Sequence, residues 1–225
     1  YLLGTTSKGI SSIQLSKHIG VTQKTAWFMA HRLRSAKKQS DDKLSGVIEA
    51  DETYIGGKAR NMHAKRRREL FQGRDRGTVN KVPVLGMKTR EGKIRATVIK
   101  EVSSLEIHPA IKSNVAEGST LYSDEHRAYN NLGRLFKRGI VRHGLGEYVK
   151  GEIFTNGIES FWAILKRGYH GVYHWMSKKH LQHYVNEFVF RFNNRLAKTS
   201  EVFSEIIDRV IENQQLPYKT LIQKL

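Results

Sequence analysis

The chain has no cysteine among its 225 residues. Disulfides and thiolate zinc sites within it are therefore excluded, and a reducing, cytoplasmic compartment fits. Long apolar runs are also missing. Nothing approaches the roughly 18 consecutive apolar residues that span a bilayer, so no membrane partner is expected. A secretory leader is lacking as well: Tyr1-Leu2-Leu3-Gly4 is a short apolar opening without a basic region or a cleavage site. Because the first residue is Tyr rather than Met, a preceding piece is expected to be missing. The last shortage is of acid. Only 21 Asp and Glu face 39 Lys and Arg, which leaves a net charge of +18 and a pI near 10.1. Self-repulsion on that scale is relieved by a polyanion, and nucleic acid is the usual one. A ribosomal-type protein or a generally basic surface would share this composition.

What is present divides into segments. The length suits one large domain or two small ones. Residues 1–40 read as a small helical unit. Ser11 to Ile19 is a short amphipathic helix ended by Gly20, and Thr22 caps a second helix through Leu33. Helix, Gly-containing turn and helix make the helix-turn-helix pattern, with Ile13, Leu15, Ile19, Val21, Ala26 and Leu33 as its expected core. Gln23, Lys24 and Thr25 then stand at the exposed start of a DNA-recognition helix. An ordinary helical hairpin has the same signature.

Residues 45–200 read as an α/β domain. Val47 to Ile55 is a strand closed by Gly56-Gly57. Residues 58–81 are basic and poor in apolar partners, including Arg60, Lys65, Arg66, Arg67 and Arg68, and read as a mobile loop that tracks DNA phosphates. Strands are expected at 82–88 and 94–100, then a helix from Ser103-Ser104 to Val115, and a short strand at 120–123. A helix from Ala128 to Phe136, a strand at 139–141 and a polar stretch at 143–154 come next. Strong helical periodicity follows from Asn156, through Ile158, Phe161, Trp162 and Leu165, and again after Ser177, with Leu181, Tyr184, Val185, Phe188, Val189 and Phe192 on one face. Residues 201–225 read as a C-terminal helical extension. This order predicts an α/β fold with an RNase H-like mixed sheet flanked by helices.

Carboxylates occupy chosen places on that framework. Asp51 lies in the first strand and Asp124 just past the fourth, and these strands are neighbours in such a sheet. Oxygen ligands suit Mg²⁺. Glu159 stands 35 positions after Asp124, in the first turn of a helix. Lys166 follows it by two helical turns, on the side where a phosphate would lie. Each acid also has a structural reading. Asp124 suits the cap of the next helix, and Asn156 with Glu159 fits a capping box. Strand alternation sends Glu52 to the face opposite Asp51, whereas Glu125 stays open as a neighbour. His180 and His183 are spaced i, i+3, yet no histidine pair has convincing zinc spacing. Trp162 and Trp175 read as packing residues.

The segments Glu49-Ala50-Asp51-Glu52-Thr53-Tyr54-Ile55-Gly56-Gly57, Tyr122-Ser123-Asp124-Glu125-His126-Arg127-Ala128-Tyr129, Thr155-Asn156-Gly157-Ile158-Glu159-Ser160-Phe161-Trp162 and Gly171-Val172-Tyr173-His174-Trp175-Met176 occur in this order. Together they resemble the bacterial insertion-sequence transposases related to the eukaryotic Merlin elements, over residues 7–197. The resemblance implies a DDE-type catalytic domain that cuts DNA and joins it to a target. It implies two Mg²⁺ ions, replaceable by Mn²⁺, on Asp51, Asp124 and a third residue. Asn and His are allowed at that third position beside Glu, so both Glu159 and Asn156 qualify, and the charge of Glu159 favours it. It further implies DNA as partner, both element ends and target, and a homo-oligomer assembled on it. Arg167 and His174 join the expected DNA contacts. Many members carry a cysteine zinc ribbon ahead of the helix-turn-helix, which a chain without cysteine cannot form. A helix-turn-helix regulator carrying an inactive transposase remnant is the alternative, as is a nuclease that cuts without joining.

Overall fold

The computed structural model describes residues 1–6, 8–58, 61–71, 78–140, 156–212 and 217–223, without the side chains of Thr5, Arg66, Leu70, Phe71 and Asn156. Arg60 and the polar stretch at 143–154 lie outside the described residues. The chain opens with helices α1 (Leu2–Thr5), α2 (Ser12–Ile19) and α3 (Gln23–Ala36). Strand β1 (Val47–Ile55), helix α4 (Ala64–Phe71), strands β2 (Val82–Thr89) and β3 (Ile94–Val98), helix α5 (Ser104–Asn114) and strands β4 (Thr120–Ser123) and β5 (Lys137–Ile140) follow. Helices α6 (Asn156–Gly168), α7 (Leu181–Asn193), α8 (Thr199–Glu212) and α9 (Tyr218–Ile222) complete it. Two compact units result. One spans residues 41–162, and the other is built from 1–40 together with 163–225.

In the unit of residues 41–162 the strands form one sheet in the order β3-β2-β1-β4-β5. β1 runs antiparallel to β2, and β2 to β3, whereas β1 and β4 are parallel, as are β4 and β5. The hairpin β2–β3 turns through Arg90-Glu91-Gly92, with Gly92 at φ 96, where glycine has no steric penalty. One face of the sheet carries Ile48, Ala50, Leu85, Met87 and Leu121, which pack with Ile107 and Ile111 of α5 and with Tyr129, Leu132 and Phe136. The other face meets the start of α6. With both faces covered, the strands do not alternate cleanly between apolar and polar residues.

Two local expectations change. A helix, α4, stands where an irregular basic loop is expected. Ala, Lys, Arg, Glu and Leu are all good helix formers, and Lys65 with Glu69 has the favourable i, i+4 spacing. Between Ala128 and Phe136 there is no α-helix but two single 3₁₀ turns, Arg127–Tyr129 and Leu132–Arg134. Asn131 separates them at φ 69, a left-handed backbone that Asn tolerates and a right-handed helix cannot include.

In the other unit, α2 and α3 are joined through Gly20 in the left-handed region, and Ser11 and Thr22 accept backbone N–H groups as caps. Leu15, Ala26, Ala30, Leu3 and Ile10 form the core there, with Val21 and Leu33 packed against it. Ile13 and Ile19 are instead exposed, at 60% and 41%. Ile13 lies two residues from Leu15, about 200° around the helix, so the two cannot share a face. Helix α7 is buried on more than its apolar stripe, because Asn186, Glu187 and Phe190 are enclosed as well. Glu187 is held between Arg34 at 2.6 Å and Arg191, and accepts from the Tyr173 hydroxyl at 3.2 Å. Burial alone would raise Glu187, but Arg34, Arg191 and Lys37 outweigh it and hold the carboxyl well below its usual range.

This unit also encloses His31. Its ring is fully buried, 4.4 Å from Trp27 and 4.8 Å from His180 between centroids, and neither nitrogen has a hydrogen-bond partner among the described residues. Burial, then Arg34, His180 and His183, push it down from 6.5 to about 2. Above pH 6.5 the ring is neutral in both the folded and the unfolded chain. Below it, only the unfolded chain takes up the proton. Stability therefore falls as the pH drops from 6.5 toward 2, by up to about 1.4 kcal/mol per pH unit for this one group. Glu187 adds a loss of the same sign at lower pH. Urea denaturation at pH 7 and pH 5 should show this slope in the wild type and a smaller one in His31→Phe. Equal slopes would remove His31 as the cause.

Candidate active site

The parallel ladder between β1 and β4 brings two acids to one level. Glu49 pairs with Tyr122, and two residues further along each strand stand Asp51 and Asp124. Asp51 is half-buried, and its Oδ2 accepts the Trp162 indole N–H at 2.8 Å. Burial raises its carboxyl above the usual value, the indole N–H opposes this, and the charges of Asp124 and Glu159 push it further up. The side chains at 51, 124 and 159 therefore share one electrostatic neighbourhood, although they come from β1, the end of β4 and α6.

Asp124 Oδ1 accepts the backbone N–H of His126 at 3.0 Å, a local turn contact. It is not the cap of the following 3₁₀ turn. That role falls to His126, whose Nδ1 accepts from Ala128 N at 3.2 Å. Glu159 is exposed in the first turn of α6. Asn156 is the first residue of that helix, and its side chain lies outside the described residues.

Glu52 points to the opposite sheet face, as alternation requires, but it is not remote from the acids. Its Oε2 accepts the hydroxyl of buried Tyr129 at 2.5 Å. Burial raises Glu52 to about 7, with Asp124 and Asp51 adding to the shift and the Tyr129 hydrogen bond opposing it. Alternation gives a side chain's face but not the distance between groups at the end of a strand, so sequence reasoning set Glu52 aside. The Asp-Glu pair itself was the available signal.

The seat of α6 depends on residues that the sequence did not single out. Gly86 pairs with Asp51 across β1 and β2. A Cβ at Gly86 would lie 2.6 Å from the Trp162 ring and 2.8 Å from Ile158. The absence of a side chain there is what lets the indole reach Asp51. Glu49, buried on the same strand face as Asp51, accepts the Ile158 N–H at 3.1 Å.

All-oxygen donors that repel one another are chemically suited to a hard dication, whose charge would relieve that repulsion. Among the described residues, however, no group of His, Asp or Glu side chains is gathered around a single point for a metal. The acids sense one another without converging.

The other expected contact residues are scattered along the chain. Lys166 and Arg167 are exposed on α6, and Lys65, Arg67 and Arg68 on α4. Gln23, Lys24 and Thr25 are exposed at the start of α3. There Gln23 donates to Ser12 at 2.8 Å, and the Lys24 ammonium lies 5.3 Å from the Tyr218 ring centre. His174 is exposed, with a left-handed backbone at φ 56. The side chain of Arg66, like Arg60, lies outside the described residues. No helix among the described residues is long and apolar enough to cross a membrane.

A five-stranded mixed sheet in this order, with helices on its faces, is an RNase H-like fold. Residues 43–193 match the ISXO2-like transposase domain, and the chain belongs to that family. It is 32% identical over 185 residues to an uncharacterized protein in transposable element ISH50 of Halobacterium salinarum, across 79% of this chain. The chain spans only 63% of that relative's length. It is also 30% identical over 115 residues to an uncharacterized transposase-like protein of Haemophilus influenzae, across 51% of this chain and 88% of that one. No solved structure matches the chain.

Proposed function

We propose that this chain is a cytoplasmic insertion-sequence transposase, of the group related to Merlin elements, that cleaves DNA at the element ends and joins it to target DNA. The observation that carries the reading is geometric: the β1–β4 register brings Asp51 and Asp124 to one level, and Trp162, three residues after Glu159 on α6, donates to Asp51 at 2.8 Å. Asp51, Asp124 and Glu159 would hold two Mg²⁺ ions, or Mn²⁺ in their place, with Asn156 beside them. Bound there, the ions would supply Lewis-acid activation of the attacking oxygen and stabilisation of the leaving one. The Trp162 indole N–H and the Glu52 backbone N–H both donate to the Asp51 carboxylate and orient it. Hydrolysis of a phosphodiester leaves a 3′-hydroxyl. That hydroxyl attacks the phosphorus of a target phosphodiester, forming a new P–O bond as the target's own 3′-oxygen leaves and takes up the proton, with no covalent protein–DNA intermediate.

Lys166, Arg167, His174 and the basic residues Arg60, Lys65, Arg66, Arg67 and Arg68 hold phosphates. Gln23, Lys24 and Thr25, at the start of the second helix of a helix-turn-helix, contact DNA. Two chains or more assemble on paired ends. The test is a cleavage and joining assay with element-end DNA and a plasmid target, in Mg²⁺ and in EDTA. Metal-dependent breakage followed by joined product is expected. DNA retention without breakage would instead identify a binding-only remnant, and breakage without joining a nuclease.

A further inference from the structure

Glu49 takes no part in the chemistry just described, yet it is 1% exposed. A carboxylate enclosed to that degree needs partners for its oxygens. Its partners are the N–H groups of Gly157 and Ile158, the latter at 3.1 Å, together with the nearby charge of Lys88. Both belong to the first turn of α6, where N–H groups have no acceptor within the helix and a negative charge is favoured by the helix dipole. The fit is close. A Cβ at Gly157 would lie 2.7 Å from both Glu49 Oε2 and Lys88 Nζ.

The placement on strand and helix gives this contact its meaning. Glu49 and Asp51 are two residues apart on β1 and share a face. Ile158 immediately precedes Glu159. One buried carboxylate thus ties the strand beside the first acid to the helix beside the third. We propose that Glu49 is a positioning residue that clamps the N-terminus of α6 to β1 and so fixes Glu159 relative to Asp51. The inference rests on the reading of Asp51 and Glu159 as metal ligands. A merely structural cap would stabilise the fold without making the contribution of Glu159 depend on it.

The experiment is Mn²⁺ titration of the full chain by calorimetry, for the wild type, Glu49→Gln, Glu159→Gln and the double variant. Gln keeps the size and one acceptor, but it presents an NH₂ group where a helix N–H points. Glu49→Gln should weaken Mn²⁺ binding about tenfold, the usual scale for losing a group that orients a ligand. In the Glu159→Gln background the same change should alter affinity by less than about twofold, because the positioned ligand is already gone. Hydrogen exchange at the Ile158 and Glu159 amides should speed up in Glu49→Gln.

Equal weakening in both backgrounds, or none in either, overturns the inference. An Asp51→Asn control separates the two readings. If it binds Mn²⁺ as the wild type does, the metal assignment fails and takes the inference with it. If Asp51→Asn loses binding while Glu49→Gln keeps it, only the inference fails. Should Glu49→Gln not fold, Gly157→Ala, which crowds the same contact, must give the same background-dependent pattern or the inference is overturned.

Discussion

Asp51→Asn and Asp124→Asn should each lower Mg²⁺-dependent strand cleavage by about a thousandfold or more, the scale on which removing a group that stabilises transition-state charge acts. The amide keeps the size of the carboxylate and loses the charge that would hold a dication. It also keeps an oxygen for the Trp162 indole, so the local packing survives. The fold should tolerate Asp51→Asn, because Asp51 is already disfavoured in its charged form by burial and by the neighbouring acids. A denaturation midpoint equal to or above that of the wild type is therefore expected for this variant alongside the lost activity. This combination separates chemistry from misfolding. Full activity in both variants would mean that the acids are assigned wrongly. For the third position, Glu159→Gln should cost more than Asn156→Ala; the reverse order would transfer the role to Asn156.

Trp162→Ala should destabilise the chain by about 3–5 kcal/mol, the usual cost of deleting a large aromatic side chain from a close-packed site. Trp162 is 4% exposed, and its ring lies against the bare backbone of Gly86. Trp162→Phe keeps most of the packing but deletes the N–H that Asp51 accepts, and should cost about 1–3 kcal/mol. Urea denaturation monitored by circular dichroism reads both. A loss below about 1 kcal/mol for the alanine variant would show that the indole is not a packing anchor. Gly86→Ala approaches the same contact from the strand. Its added Cβ forces the ring aside, at about 1–3 kcal/mol, and the indole N–H moves away from Asp51.

Much of the fold was legible in the residues. Val47 to Ile55 reads as a strand from its β-branched and aromatic content and closes at a Gly pair, and it is β1. The periodicity from Asn156 onward is α6, and that after Ser177 resolves into a single 3₁₀ turn and α7. These signals are local, so a short window of sequence contains them. The misreadings occurred where a local pattern had competing solutions. The Lys- and Arg-rich run at 64–71 has little to bury, which is equally true of a loop and of an exposed helix. The Ala128–Phe136 segment has helical composition, but the left-handed Asn131 divides it into two turns.

By itself, the sequence determined which groups are available for chemistry: acids at 51, 124 and 159, a large basic excess, and no thiol. It also determined the succession of strands and helices along the chain, which points to a mixed sheet flanked by helices. Only the tertiary structure decided which groups meet. The pairing of Asp51 with Gly86, the reach of Trp162 to Asp51, the Tyr129 hydroxyl on Glu52 and the burial of Glu49 against α6 all join residues far apart in the chain. No local propensity encodes such contacts. They depend on strand register and on the space left by an absent side chain, and both arise only when the sheet and the helix pack together.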